Sequence, residues 1–403
     1  MTIGSKFFSK QNIIFLVVFG ILFSFLFVGL DYKGRDADTL LYNKFVEQLA
    51  EKPIKEFLVL EWKELSLFFS KAEPTPFVRD HYPGQFFFPV LVAKLGFPAS
   101  HILYLFNVFY MLIYLYLFYL IFREFLSMED ASFILYAGMF TILSFNYVLR
   151  ADHERLVLVF SLLGVLSGLR FREDKRWFWG LFVANGGAFF IKGLATFYVP
   201  VFGVISYLVV SGFRVKDLIL VCLSGVSIPL VGGLYEIYFR WVTGLPFFEG
   251  YWNLQMGART LEQAPFSIIS KLRNFAYYSS RGLVYSLPWS LFAIIIWGRK
   301  LLKREVDWGV GSSVQKLYLL LGSLSLFALV CFSFFNRTAS RYVFVGNFII
   351  GALCIIYVYL NSKWLKRLNG RVLGHGVFRV MILTWGSIVT LAIGLWYLKA
   401  HLL

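Results

Sequence analysis

Long unbroken apolar runs constrain this chain more than any other feature. Ile13 to Leu30, Leu103 to Phe122, Ala131 to Leu149, Leu317 to Phe335 and Val343 to Leu360 each approach or exceed the roughly 18 apolar residues that cross a bilayer as a helix. Of 403 residues, 59% are hydrophobic and 15% charged, against roughly a quarter charged in a soluble domain. So much apolar surface cannot all be folded inside, and the surplus faces lipid. The expected fold is therefore an all-α polytopic membrane protein, one transmembrane unit over 1–403 with about eleven spans. They are expected near 12–30, 100–122, 131–149, 155–170, 177–191, 194–211, 217–235, 282–298, 317–335, 342–360 and 378–398.

A net charge of +16 would suit a nucleic-acid partner in a soluble chain, but here many basic residues gather at the ends of the apolar runs. No nucleic-acid partner is implied. With the N-terminus inside, the short cytoplasmic segments hold Lys6, Lys10, Arg123, Arg170, Arg172, Lys175, Arg176 and Arg214, with further clusters over 299–304 and 363–371. That is the distribution the positive-inside rule asks for. Cys222, Cys331 and Cys354 lie within apolar runs, which argues against a disulfide framework or a cysteine metal site. The first run lacks a small-residue cleavage pattern before Asp31 and is expected to stay as a span.

The opposite side receives two long polar loops, 31–85 and 236–281, and short turns at 150–155 and 336–341. In the first loop, Thr39 to Ala50 and Ile54 to Phe69 place apolar residues at helical spacing among charges, with Pro53 between them. Two amphipathic helices lying at the membrane surface are expected there. Pro83, Gly84 and Pro89 then punctuate the chain, and the aromatic run Phe86 to Phe88 returns it towards the bilayer.

This outer side carries the chemically able residues. Asp36 and Asp38 open the first amphipathic helix; such a pair serves as a general base or holds a divalent cation, and one member can instead cap the helix. The turn Arg150 to Arg155 brings Asp152 and Glu154 to the same side, as site acids or as interfacial anchors. Lys192 stands between two apolar segments, where an ammonium needs a partner or water. Gly193 after it weakens the helix and lets the ammonium meet a phosphate; snorkelling to the interface is the other reading. Arg281 and Arg341 add cations, whose planar forks bind two phosphate oxygens at once or simply anchor their helices. No P-loop, dinucleotide fingerprint, nucleophile elbow, HExxH or paired CxxC occurs, so nucleotide-driven chemistry has no support.

The order of several motifs resembles the glycosyltransferase C superfamily, in the branch of protein O-mannosyltransferases and the lipid A aminoarabinose transferase. Asp38-Thr39-Leu40-Leu41-Tyr42 is similar to the acidic first-loop motif with its following aromatic, and Asp152 resembles the second acidic position. Phe190-Ile191-Lys192-Gly193 with Pro200 resembles the Lys-Gly segment, Leu287-Pro288-Trp289 behind Arg281-Gly282 a later element, and Ser340-Arg341-Tyr342 the opening of a late span. Thr39 stands where a glutamate is usual, which leaves Asp36 and Asp38 both open as the base. Tyr82-Pro83-Gly84 replaces a Lys-Pro-Pro element, so Arg79, His81 or Lys192 would supply the missing cation. The soluble C-terminal domain of many relatives is not expected.

The resemblance implies an inverting glycosyltransferase of a bacterial inner membrane, with its active face outside. It would move a sugar from a polyprenyl phosphate donor to a glycan, lipid or protein acceptor. Asp38 or Asp36 would be the base, with Asp152 as second acid. Lys192, Arg281 and Arg341 would stabilise the departing phosphate, alongside Tyr42 and Tyr342 of the matching motifs. A divalent cation fits two acids and a phosphate but nothing requires it. Other readings are a lipid-linked polysaccharide polymerase or ligase, told apart by chain extension, and a transporter or flippase, which would place ionisable groups deep within several spans.

Overall fold

In a computed structural model of the protein, residues 37–61, 76–79, 81–97, 99–139, 141, 143, 153–253, 267–303, 312–334 and 343–372 are described. They form α1 (Ala37–Glu51), α2 (Phe87–Lys94), α3 (Ala99–Arg123), α4 (Met128–Met139), α5 (Glu154–Arg170), α6 (Trp177–Lys192), α7 (Tyr198–Ser211) and α8 (Val215–Leu223). Then follow α9 (Ser227–Thr243), α10 (Phe247–Tyr251), α11 (Ile268–Tyr285), α12 (Trp289–Leu302), α13 (Ser312–Ser333), α14 (Phe344–Asn361) and α15 (Lys363–Val372). Among the described residues there is no strand, only an antiparallel bridge between Glu61 and Phe77.

Among the described residues, four continuous stretches are long and apolar enough to cross a membrane: Trp177–Thr196, Val215–Thr243, Ser313–Ser333 and Phe344–Asn361. The expected spans near 12–30 and 378–398 lie outside the described residues. The span expected over 282–298 is a correction, because α11 and α12 meet at 102°. Pro288 has no N–H to donate, so a straight helix would lose a hydrogen bond there. Local side chains bond the backbone at the bend: Ser286 Oγ donates to Gly282 O at 2.6 Å, and Ser290 Oγ to Leu283 O at 2.7 Å. Trp289 Nε1 ties the bend to Ala137 O at 2.9 Å.

α5 is the hub. Nearly every residue from Glu154 to Leu169 is buried, as expected of a helix that is apolar all round. It packs on α3, α6 and α7. Its approach to α7 is close enough that a Cβ on Gly168 would meet the carbonyl of Gly203; small residues are what permit such contact between membrane helices. Val215–Thr243 is the opposite case, with Leu223, Val226, Leu230, Leu234, Ile237 and Trp241 exposed along it. That face meets lipid.

α1 buries Leu41, Tyr42, Phe45, Val46 and Leu49, one helical face, in a cluster with Phe86, Val90, Ile102 and Leu103. The second amphipathic helix expected from Ile54 is a correction over its described part. Ile54–Glu56 makes a single 3-10 turn, and the chain then extends, with Val78 N donating to Leu60 O at 2.9 Å. Side-chain partners override local spacing here: Tyr235 Oη, far along the chain, donates to Leu58 O at 3.0 Å, and the nearby Lys52 Nζ to Val59 O at 2.6 Å.

Candidate functional site

α5 and α6 form an antiparallel hairpin. Seventeen residues lie in one and 16 in the other, so at 1.5 Å per residue both are about 24 Å long and their far ends fall level. The start of α5 therefore faces the end of α6. Glu154, first residue of α5, is buried to 1% and forms an ion pair with the Lys192 ammonium, itself 12% exposed. A lysine that ends an apolar helix needs such a partner.

The pair extends into α1. His153 Nε2 faces Glu154 Oε1 at 3.4 Å, and its Nδ1 lies 3.2 Å from the hydroxyl of Tyr42. The roles in the second contact follow the tautomer, the Tyr42 hydroxyl donating where Nε2 carries the proton. Burial pushes His153 from 6.5 down to about 4, with the Lys192 ammonium adding to the shift and Glu154 opposing it. The imidazole is neutral at physiological pH. Arg155, next in the chain, is also buried.

The end of α6 is shaped by its neighbours. Gly193 has φ +61° and ψ −143°, a conformation open to glycine. It turns the chain into a 3-10 segment, Gly193–Thr196. Against it lies an aromatic cluster in which the Tyr82 ring touches Phe189, Tyr235, Phe247 and Tyr251, with centroids 4.7 to 5.5 Å apart.

Of the residues singled out in the sequence, the structure gathers Tyr42 and Lys192 into this cluster, with His81 within electrostatic reach of His153. Asp38 lies in α1 one turn ahead of Tyr42 in register. Arg79 Nη1 donates to Pro246 O at 3.2 Å. Arg281 is exposed on α11, its guanidinium 5.5 Å from the Tyr277 ring centroid, and no described ion pair joins it to the cluster. Asp36, Asp152, Arg341 and Tyr342 lie outside the described residues. Among the described residues no three of His, Cys, Asp and Glu gather as a metal site would need.

Of this turn the sequence carried only Asp152 forward with a role, and neither Glu154 nor His153. The signal that finds them is the hairpin: two helices of equal length bring the first residue of one level with the last of the other, and a buried lysine selects the carboxylate it meets.

Fold and cluster define a polytopic, all-helical integral membrane protein with an ionic site at one end of its helices. Structures of ArnT from Cupriavidus metallidurans share that fold. The form bound to undecaprenyl phosphate aligns with a TM-score of 0.55 at 14% identity, over 83% of this chain and 62% of that one. The apo form aligns with a TM-score of 0.55 at 13% identity, over 81% of this chain and 57% of that one. The chain has the fold of these structures and spans about three fifths of the length of those proteins. No protein-family model matches the sequence, and no curated protein matches it.

Proposed function

We propose that the protein is an inverting glycosyltransferase that moves a sugar from a polyprenyl phosphate donor to an acceptor on the outer face of a bacterial inner membrane. The observation that carries this reading is the Lys192–Glu154 pair. It is a cation fixed at the end of an apolar helix, in a fold shared with a protein whose structure is bound to undecaprenyl phosphate. Basic residues such as Arg170, Lys175 and Arg176 crowd the other end of the same hairpin, which supports the cluster's facing outward.

In the proposed reaction an acceptor hydroxyl attacks the anomeric carbon from the face opposite the phosphate. The new carbon–oxygen bond forms as the bond to the lipid phosphate breaks. The hydroxyl proton passes to Asp38 or Asp36, and the electron pair leaves on the phosphate oxygen. Lys192 offsets the charge that develops there, with Arg281 and Arg341 as further cations of the same face. Glu154 aims the ammonium, and Tyr42 with His153 ties the helix carrying Asp38 to that ion pair.

The test is transfer in proteoliposomes from radiolabelled sugar-phosphoundecaprenols to membrane acceptors. Asp38→Asn is expected to abolish transfer while folding is retained, and Lys192→Ala to lower it by about a hundredfold or more. Full activity in Asp38→Asn would move the base to Asp36, for which the same substitution decides. Absence of transfer from every donor would overturn the reading, and ladders of extended glycan among the products would reassign the protein to polymerisation.

A further inference from the structure

Tyr251, the last residue of α10, is buried to 3% against the turn that follows Lys192. Its hydroxyl accepts from Leu194 N at 3.0 Å and donates to Lys192 O at 3.4 Å. It therefore bridges the peptide groups on either side of Gly193. A Cβ on Gly193 would run into the Tyr251 hydroxyl and, at 2.9 Å, the ring of Tyr82. The segment that delivers Tyr251 is itself held: Arg79 donates to Pro246 O, and a Cβ on Gly250 would meet the Arg79 guanidinium carbon at 2.8 Å.

We infer that Tyr251 is a positioning residue for Lys192, its hydroxyl fixing the glycine turn from which the ammonium reaches Glu154 and the donor phosphate. The inference rests on the glycosyl-transfer reading. Gly193 is the most permissive residue in the region, and without a clamp the end of α6 would fray through it, as helix ends with unsatisfied carbonyls do. The clamp comes from the second outer loop, so that loop sets the geometry of a cation carried by a spanning helix. Arg79 serves the same arrangement one step back, as a tether of the 246–250 segment.

Tyr251→Phe keeps the ring packed on Tyr82 and Phe247 and removes only the bridge. Loss of one such hydrogen bond is expected to weaken binding of undecaprenyl phosphate, and to slow transfer, by about tenfold. Tyr238→Phe is the control, since its hydroxyl also bridges a carbonyl and an amide, Lys55 O at 3.1 Å and Leu58 N at 3.4 Å, in the first outer loop. That variant is expected to bind and transfer as wild type does. In a Lys192→Ala background Tyr251→Phe should change neither quantity further, because it acts through the ammonium. Wild-type binding by Tyr251→Phe, or the same loss with and without Lys192, overturns the inference while leaving the glycosyl-transfer reading in place. A wild-type protein that neither transfers sugar nor prefers undecaprenyl phosphate to undecaprenol overturns both.

Discussion

The two ends of the α5–α6 hairpin carry the same kinds of side chain in opposite settings. At one end Glu154 and Lys192 pair with 1% and 12% of their side chains exposed. At the other, Arg170 pairs with Glu124 at 2.6 Å, both roughly a quarter to a third exposed, and Arg176 pairs with Asp174 at 3.0 Å with the arginine 90% exposed. Water screens the second set, so each pair contributes little and is replaceable. The buried pair is different in kind: its desolvation is offset only while both partners are present. A membrane helix keeps such a pair where the ion has a task.

Glu154→Gln tests this contrast most severely. It removes the carboxylate paired with a buried ammonium, which is expected to cost about 3–5 kcal/mol, read as a lowered midpoint of thermal unfolding in detergent. Transfer should fall by about a hundredfold or more. Adding Lys192→Met should recover much of the stability and none of the activity. Near-wild-type stability in the single variant would put the two ends on the same footing.

The pH response separates the ends next. His153 sits near 4 in the folded protein against 6.5 when exposed, so the unfolded chain binds the extra proton first. Stability is therefore expected to fall as pH drops from about 6.5 towards about 4, and not to depend on this group above that window. His153→Gln should flatten the slope. At the other end Asp174 is held below its usual range, chiefly by the Arg176 backbone N–H. Its contribution is present above the ordinary carboxylate value and lost only on further acidification, a small effect for so exposed a group. Thermal midpoints from pH 8 down to about 2, with and without His153, read both.

The smallest effect is expected from Glu124→Gln, which breaks the Arg170 pair at the exposed end. Stability should change by about 1 kcal/mol or less, with transfer unchanged. A loss of activity there would mean that the two ends are coupled along the hairpin.

Much of this was legible in the sequence, though unevenly. Hydropathy marked the helices at Trp177–Thr196, Ser313–Ser333 and Phe344–Asn361, because each residue's transfer cost is local and adds along a run. Lys192 stood out for the same reason, as a charge where local cost forbids one. Tyr42 entered through its motif. The break at Pro288 was written in the chain but hidden by the apolar residues on both sides, which read as one span. The extended path after Ile54 was not legible, since the hydroxyl of Tyr235 that holds Leu58 comes from a residue 177 positions away.

Alone, then, the sequence determined a helical membrane protein with basic helix ends and a lysine that had to find a partner. The tertiary structure supplied Glu154 as a partner, from the far end of the neighbouring helix. The level docking of α5 against α6 brings Glu154 to the ammonium, and the packing of α1 adds Tyr42 through His153. Tyr251 closes the turn behind it from another loop. Burial and pairing at this site arise from elements distant in sequence, so they exist only once the helices are packed.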